Sequence, residues 1–219
     1  VKINPKDPLA WQRLAQFLMA DLRKPEEARK AVDGMVAALP NDPASYLTRV
    51  RLVLMLDAEK PLPPRKSDPL LADVARGLDL APCHPDLLLV QAERLQRHRD
   101  IMGARTALAS GVAKYPGEAR LVRALAWLEV NRNNRAGAIG ILEDALPHVK
   151  DPLDLMVPLA DLVMDAGDVT RAEEILKKLD RRNGATVKMQ AKYLRGRLLM
   201  RAGKWDDAIA MLTKLRDES

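Results

Sequence analysis

Residues 85–116 read PDLLLVQAERLQRHRDIMGARTALASGVAKYP. Leu88, Ala92 and Leu95 recur every three or four residues and mark one face of a helix. Ala104, Leu108, Gly111 and Val112 mark one face of a second helix. His98-Arg99-Asp100 is a short polar turn between them, and Pro116 closes the pair. Two helices this short cannot bury their apolar faces alone. They need copies of themselves alongside.

Subtraction finds the copies. Ala92, Ala126 and Ala160 stand 34 residues apart, and Gly196 follows after 36. Ala104, Ala138, Ala172 and Ala208 keep the same steps, as do Leu108, Leu142, Leu176 and Leu212. Three columns moving together at this period predict an array of helical hairpins. The small residues belong where the two helices of a hairpin cross, because a larger side chain there would push the helices apart.

The rest of the chain fits this ruler. Asn4-Pro5-Lys6-Asp7-Pro8, Leu39-Pro40-Asn41-Asp42-Pro43, Ala81-Pro82-Cys83-His84-Pro85 and Lys150-Asp151-Pro152 each stop one helix and start the next. The first hairpin pairs residues 8–21, with Trp11, Leu14, Ala15 and Leu18 inward, with residues 25–39, with Ala28, Val32 and Met35 inward. The second uses Tyr46, Val50 and Val53, then Leu70, Val74, Gly77 and Leu78. The fourth uses Val122, Leu125, Ala126, Ala138, Leu142 and Ala145; the fifth uses Leu159, Ala160, Val163, Ala172, Leu176 and Leu179; the sixth uses Gly196, Leu199, Ala208, Leu212 and Leu215. In the second hairpin the step from Val50 to Leu70 is 20, against 12 from Ala92 to Ala104. The extra residues fall in 59–67, EKPLPPRKS, and three prolines predict an extended loop there. The segment from Pro61 to Lys66 also has the spacing of a Pro-rich adaptor ligand, against which a plain loop is the simpler reading.

Composition agrees. Apolar residues make up 47% of the 219 and aromatics only 3%, which suits close helix-on-helix packing and lacks the β-branched and aromatic runs of strands. The 36 Lys and Arg against 30 Asp and Glu leave +6 spread along the chain, which reads as solvated helix faces rather than a polybasic nucleic-acid patch. The single cysteine, Cys83, excludes an internal disulfide. No apolar run is long enough for a membrane span, and no targeting segment is visible, which leaves the compartment open. The Val at position 1 and the linker-like start predict that residues 1–5 close an earlier hairpin of a longer array.

No catalytic constellation is present. There is no phosphate-binding Gly loop and no nucleophile elbow. His84, His98 and His148 fall in turns, and the Cys83-His84 pair lacks further ligands, so neither a metal nor a cofactor site is expected. Glu173-Glu174 and Asp206-Asp207 are placed in first helical turns, where negative charge complements the macrodipole. Trp11 belongs on the packing column, Trp205 is expected to staple a helix start, and Trp127, next to the small column at Ala126, is turned off the packing face.

These units resemble the tetratricopeptide repeat. Trp11, Leu14 and Ala15 match its first helix, Ala104, Leu108, Gly111 and Pro116 its second, and Gly167 and Gly203 its turn. The fourth and fifth units lack the closing Pro, and Lys192 stands where a large residue is expected. The resemblance implies an all-α, right-handed α-solenoid of about six hairpins in one array, with units near 8–41, 42–84, 85–118, 119–151, 152–187 and 188–219. It also implies a non-catalytic scaffold that holds a peptide or partner protein in a groove lined by the first helices. By register the groove presents Gln12, Gln16 and Met19; Leu47, Arg51 and Leu54; Leu89, Glu93 and Gln96; Arg120, Arg123, Trp127 and Asn131; Asp154, Val157, Asp161 and Asp165; and Tyr193, Arg197, Met200 and Arg201. Its charge runs from near neutral to basic at the fourth unit, acidic at the fifth and basic at the sixth, unless these charges are solvated or pair across neighbouring helices. Gln16, Arg51, Glu93 and Arg97 lack the Asn pair and the sign of the family's chaperone clamp, which excludes that ligand. Two other functions compete: the regulatory arm of a larger enzyme or complex, and single-stranded RNA binding. Open array ends also predict self-association.

Overall fold

The computed structural model describes residues 4, 6–57 and 61–217. Among the described residues there are twelve α-helices, one 3-10 turn and no strand. The chain divides into two compact units, Val1–Lys114 and Tyr115–Ser219. The expected end of an earlier hairpin lies largely outside the described residues, as do Glu59 and Lys60 of the insertion.

In the first unit, α1 (Pro8–Ala20) pairs with α2 (Pro25–Ala38), α3 (Pro43–Leu56) with α4 (Pro69–Leu80), and α5 (Pro85–Arg97) with α6 (Ile101–Lys114). One core cluster joins Ala15, Leu18, Ala28, Ala31, Val32 and Leu52, with Trp11 and Leu14 packed on it. A second joins Leu47, Val50, Leu70, Val74 and Leu87. In the second unit, α7 (Ala119–Asn131) pairs with α8 (Arg135–Ala145), α9 (Leu153–Asp165) with α10 (Val169–Asp180), and α11 (Ala185–Arg201) with α12 (Trp205–Asp217). The small columns are where the helices meet. Ala104, Ala138 and Ala172 are fully buried. A Cβ on Gly196 would come within 2.6 Å of Leu212, so the last hairpin needs glycine in that column.

Starts and stops follow from local chemistry. The first helices of the first two hairpins begin on Asp-Pro steps: Asp7 accepts from the Leu9 N–H, and Asp42 from the Ala44 N–H, both at 3.0 Å. Proline at the next position gives up an amide hydrogen that had no partner there. The second helices of the third, fourth and fifth hairpins begin differently. Asp100, Asn134 and Asp168 each accept an N–H three residues on, at Gly103, Gly137 and Arg171. The residue before each cap is left-handed: Arg99 (φ 61), Asn133 (φ 62) and Gly167 (φ 85), with Gly203 (φ 74) in the sixth hairpin. These turns keep the 34, 34, 36 steps of the packing columns. Each turn closes with an N–H reaching five residues back, from Asp100 to Leu95, Asn134 to Glu129, Asp168 to Val163 and Lys204 to Leu199.

The insertion is a fitted loop. Leu62 and Pro63 each precede a proline, and Pro64 has φ −57 and ψ 139, so residues 61–64 run extended as expected. The loop then closes with a 3-10 turn at Arg65–Ser67, which the proline reading did not include. Arg65 reaches Asp100 at 2.6 Å. Asp68 caps α4, and its side chain is fully buried. It also accepts from Arg94 Nε at 2.6 Å and meets His98 Nε2 at 2.7 Å. Burial pushes the Asp68 carboxyl up, but the bonds from Arg94 and His98 and the Arg94 charge outweigh it and hold it below the ordinary value.

Three local expectations are corrected. Glu173-Glu174 lie in the second turn of α10, because that helix starts at Val169 and Asp168 caps it. Trp205 opens α12 but is 58% exposed, too bare to staple the turn. The first helix of the sixth hairpin starts at Ala185 rather than after 188, and its 17 residues take up the longer last step of the repeat.

Candidate binding recess

The first helices of the second unit, α7, α9 and α11, lie side by side, with α9 between the other two. Positions one helical turn apart on α7 form one wall: Arg120, Arg123 and Trp127. Trp127 directly follows the buried Ala126, so its ring projects off the packing face and is 65% exposed. Facing it from α9 are Pro158, Asp161, Leu162 and Asp165, and from α11, Arg197. Together they enclose a recess of about 740 Å³ whose floor is largely apolar. Pro158 sits inside α9 and withdraws one amide donor from that helix.

The electrostatics of the recess differ from the simple gradient along the register. Arg197 binds Asp161 and reaches Asp165 at 3.5 Å, and Arg201 binds Asp165. The acidic fifth unit and the basic sixth therefore neutralise each other across α9 and α11. Asp161 is half-buried. Burial pushes its carboxyl up, Arg197 pulls it down and the neighbouring Asp165 charge pushes it up again, so it sits above the ordinary value. On the α7 side Arg120 pairs with Glu118 at 2.8 Å. Arg123 and Arg135, the residue that opens α8, form no ion pair among the described residues.

Six of the residues read from the sequence meet here: Arg120, Arg123, Trp127, Asp161, Asp165 and Arg197. Arg201 stands beside them through Asp165, while Asn131 and Tyr193, both exposed, do not line the recess. Arg51 and Glu93 belong to the first unit, where Arg51 pairs with Asp86 at 2.9 Å and Glu93 is exposed. Leu47 is corrected from groove to core, because it packs with Val50, Val74 and Leu87. Arg135 and Pro158 were missed. A signal for the pairing was available: Gln12 to Thr48, Arg51 to Asp86, Asp161 to Arg197 and Asp165 to Arg201 are each 35 or 36 residues apart. One repeat length brings equivalent first-helix positions side by side.

No helix among the described residues is long and apolar enough to cross a membrane, and no cluster of potential metal ligands is found among them.

The hairpins, their small-residue crossings and the first-helix face define a helical-repeat protein. A sequence profile of the tetratricopeptide repeat matches residues 89–154 and 157–219, and the chain belongs to that family. Members of the family generally serve as scaffolds for protein–protein interaction. No curated protein sequence matches significantly. Among solved structures, PilF of Pseudomonas aeruginosa aligns over 96% of this chain and 90% of its own, at 14% identity and a TM-score of 0.65. PilW, a widely conserved type IV pilus biogenesis factor, aligns over 96% and 92%, at 14% identity and 0.66. A tetratricopeptide repeat protein of Parabacteroides merdae aligns over 98% and 79%, at 18% identity and 0.61. At these identities the likeness is one of fold.

Proposed function

We propose that this chain is a protein-interaction module that receives a peptide or partner segment in the recess of α7, α9 and α11. The observation that carries the proposal is Trp127. A large aromatic ring 65% exposed at the mouth of an apolar recess has no packing role in its own hairpin. Such rings anchor interfaces elsewhere, because they bury much area at little entropic cost. Arg123, one turn away and without an ion pair among the described residues, supplies a directional contact beside the ring.

The test is a selection of displayed random peptides on the full chain and on an Arg123→Glu, Trp127→Ala variant. Both positions are exposed, so the variant should melt like the wild type. Peptides enriched on the wild type should bind the variant at least tenfold more weakly. Equal affinity for both proteins would refute the site. An unstructured RNA oligomer serves as a comparison ligand. RNA binding that is tight at low salt, weakens steeply with added salt and exceeds that of any peptide would replace this reading.

A further inference from the structure

Resting on that reading of the recess, we infer that its occupant is an extended segment with a large apolar side chain flanked at two residues on either side by carboxylates. Charge complementarity carries the argument. Four arginines line the recess against two aspartates, Asp161 and Asp165. Those aspartates already hold Arg197 and Arg201. The charge left open is positive, at Arg123 and Arg135. Arg135 occupies the first turn of α8, where a cation works against the macrodipole. Helix stability therefore does not explain its placement. An incoming anion would be favoured by both the guanidinium and the helix end.

Spacing supplies the pattern. Arg123 precedes Trp127 by four residues on α7, about 6 Å along the axis. Arg135 opens α8 just past the end of α7, and α7 ends four residues beyond Trp127, about another 6 Å. An extended peptide rises about 3.3 Å per residue, and its alternate side chains share a face. Three side chains at i, i+2 and i+4 would therefore meet Arg123, Trp127 and Arg135 from one side of the strand. The central one would enter the apolar floor made by Val130, Pro158 and Leu162. A helical ligand would need twice the number of residues between its anchors.

The probe is the capped peptide Gly-Glu-Ser-Phe-Ser-Glu-Gly, titrated into the full chain carrying Trp11→Phe and Trp205→Phe, so that Trp127 alone reports by fluorescence. It should bind at least tenfold tighter than the analogue with both glutamates replaced by lysine, and tighter than the one with Phe replaced by Ser. Its affinity should fall with added salt. Arg123→Glu and Arg135→Glu should each weaken it about tenfold, and the lysine analogue should gain affinity for those variants. A lysine analogue that binds the unsubstituted recess as well as the acidic peptide would overturn the inference. So would an acidic peptide indifferent to both arginines. If library peptides still depend on Trp127 in that case, the recess stands and only its ligand class falls. If they do not, both fall.

Discussion

At the scale of single residues, two aspartates show how environment sets the sign of a contribution. Asp68 is buried with an arginine, a histidine and a backbone N–H on its oxygens, and its carboxyl is held low. Its stabilisation is complete above the unfolded value of about 4 and is lost as pH falls through the lower folded value. Asp161 is shifted the other way, mainly by burial. Folding therefore favours its protonated form, and its contribution worsens as pH rises from about 4 through the folded value. Asp68→Asn should cost about 3 kcal/mol at neutral pH, because it leaves Arg94 buried without its counter-charge. It should also flatten the loss of stability in acid. Asp161→Asn should leave the thermal midpoint at pH 7 unchanged or raise it, with Arg197 still held by Asp165. Melting curves of both variants between pH 3 and 7 check these signs. The Asp68 network was not readable from the sequence: its partners lie 26 and 30 residues away, and Asp68 itself stands directly after the insertion that breaks the repeat.

At the scale of the element, the hairpin turn has its own column. Arg99, Asn133, Gly167 and Gly203 adopt the same left-handed conformation, but only two of them are glycines. The left-handed residue was therefore visible at 167 and 203 and hidden at 133, while at 98–100 the sequence showed a polar turn but not its left-handed Arg99. A long side chain at φ > 0 is strained where glycine is not, and asparagine lies between. Arg99→Gly should stabilise the chain by about 1 kcal/mol, and Asn133→Gly by less. A fall in midpoint on Arg99→Gly would mean that the Arg99 side chain makes a contact that outweighs its backbone strain. Helix existence and packing faces were legible for a different reason. Ala, Leu and Gly at fixed steps record helix crossings directly, because volume at a crossing tolerates so little change. Leu47 was misplaced because apolar residues on a first helix do not by themselves distinguish core from groove. Trp127 was placed well because a bulky residue adjacent to a small-column Ala must leave the packing face.

At the scale of the molecule, stability in a repeat protein is local, a sum over hairpins and their neighbours. Function therefore need not be spread evenly along the chain. The 85–116 hairpin sets the ruler for all the others, yet its own first-helix residues, Leu89, Glu93 and Gln96, are not among those that line the recess. In the recess, Asp161 and Asp165 of the fifth hairpin are held by Arg197 and Arg201 of the sixth. What remains open is the indole of Trp127, with Arg123 and Arg135 lining the same recess. The central claim about this molecule is that a partner lands in that recess. A photo-crosslinking benzoylphenylalanine placed at position 127 of the full chain, and in a separate protein at position 205, tests this directly with peptides selected on the wild type. Both positions are solvent-exposed, so reactivity alone does not favour either. Position 127 should label in a way that excess unlabelled peptide abolishes, and position 205 should not label. Equal labelling at the two positions, or labelling from 205 alone, would contradict it.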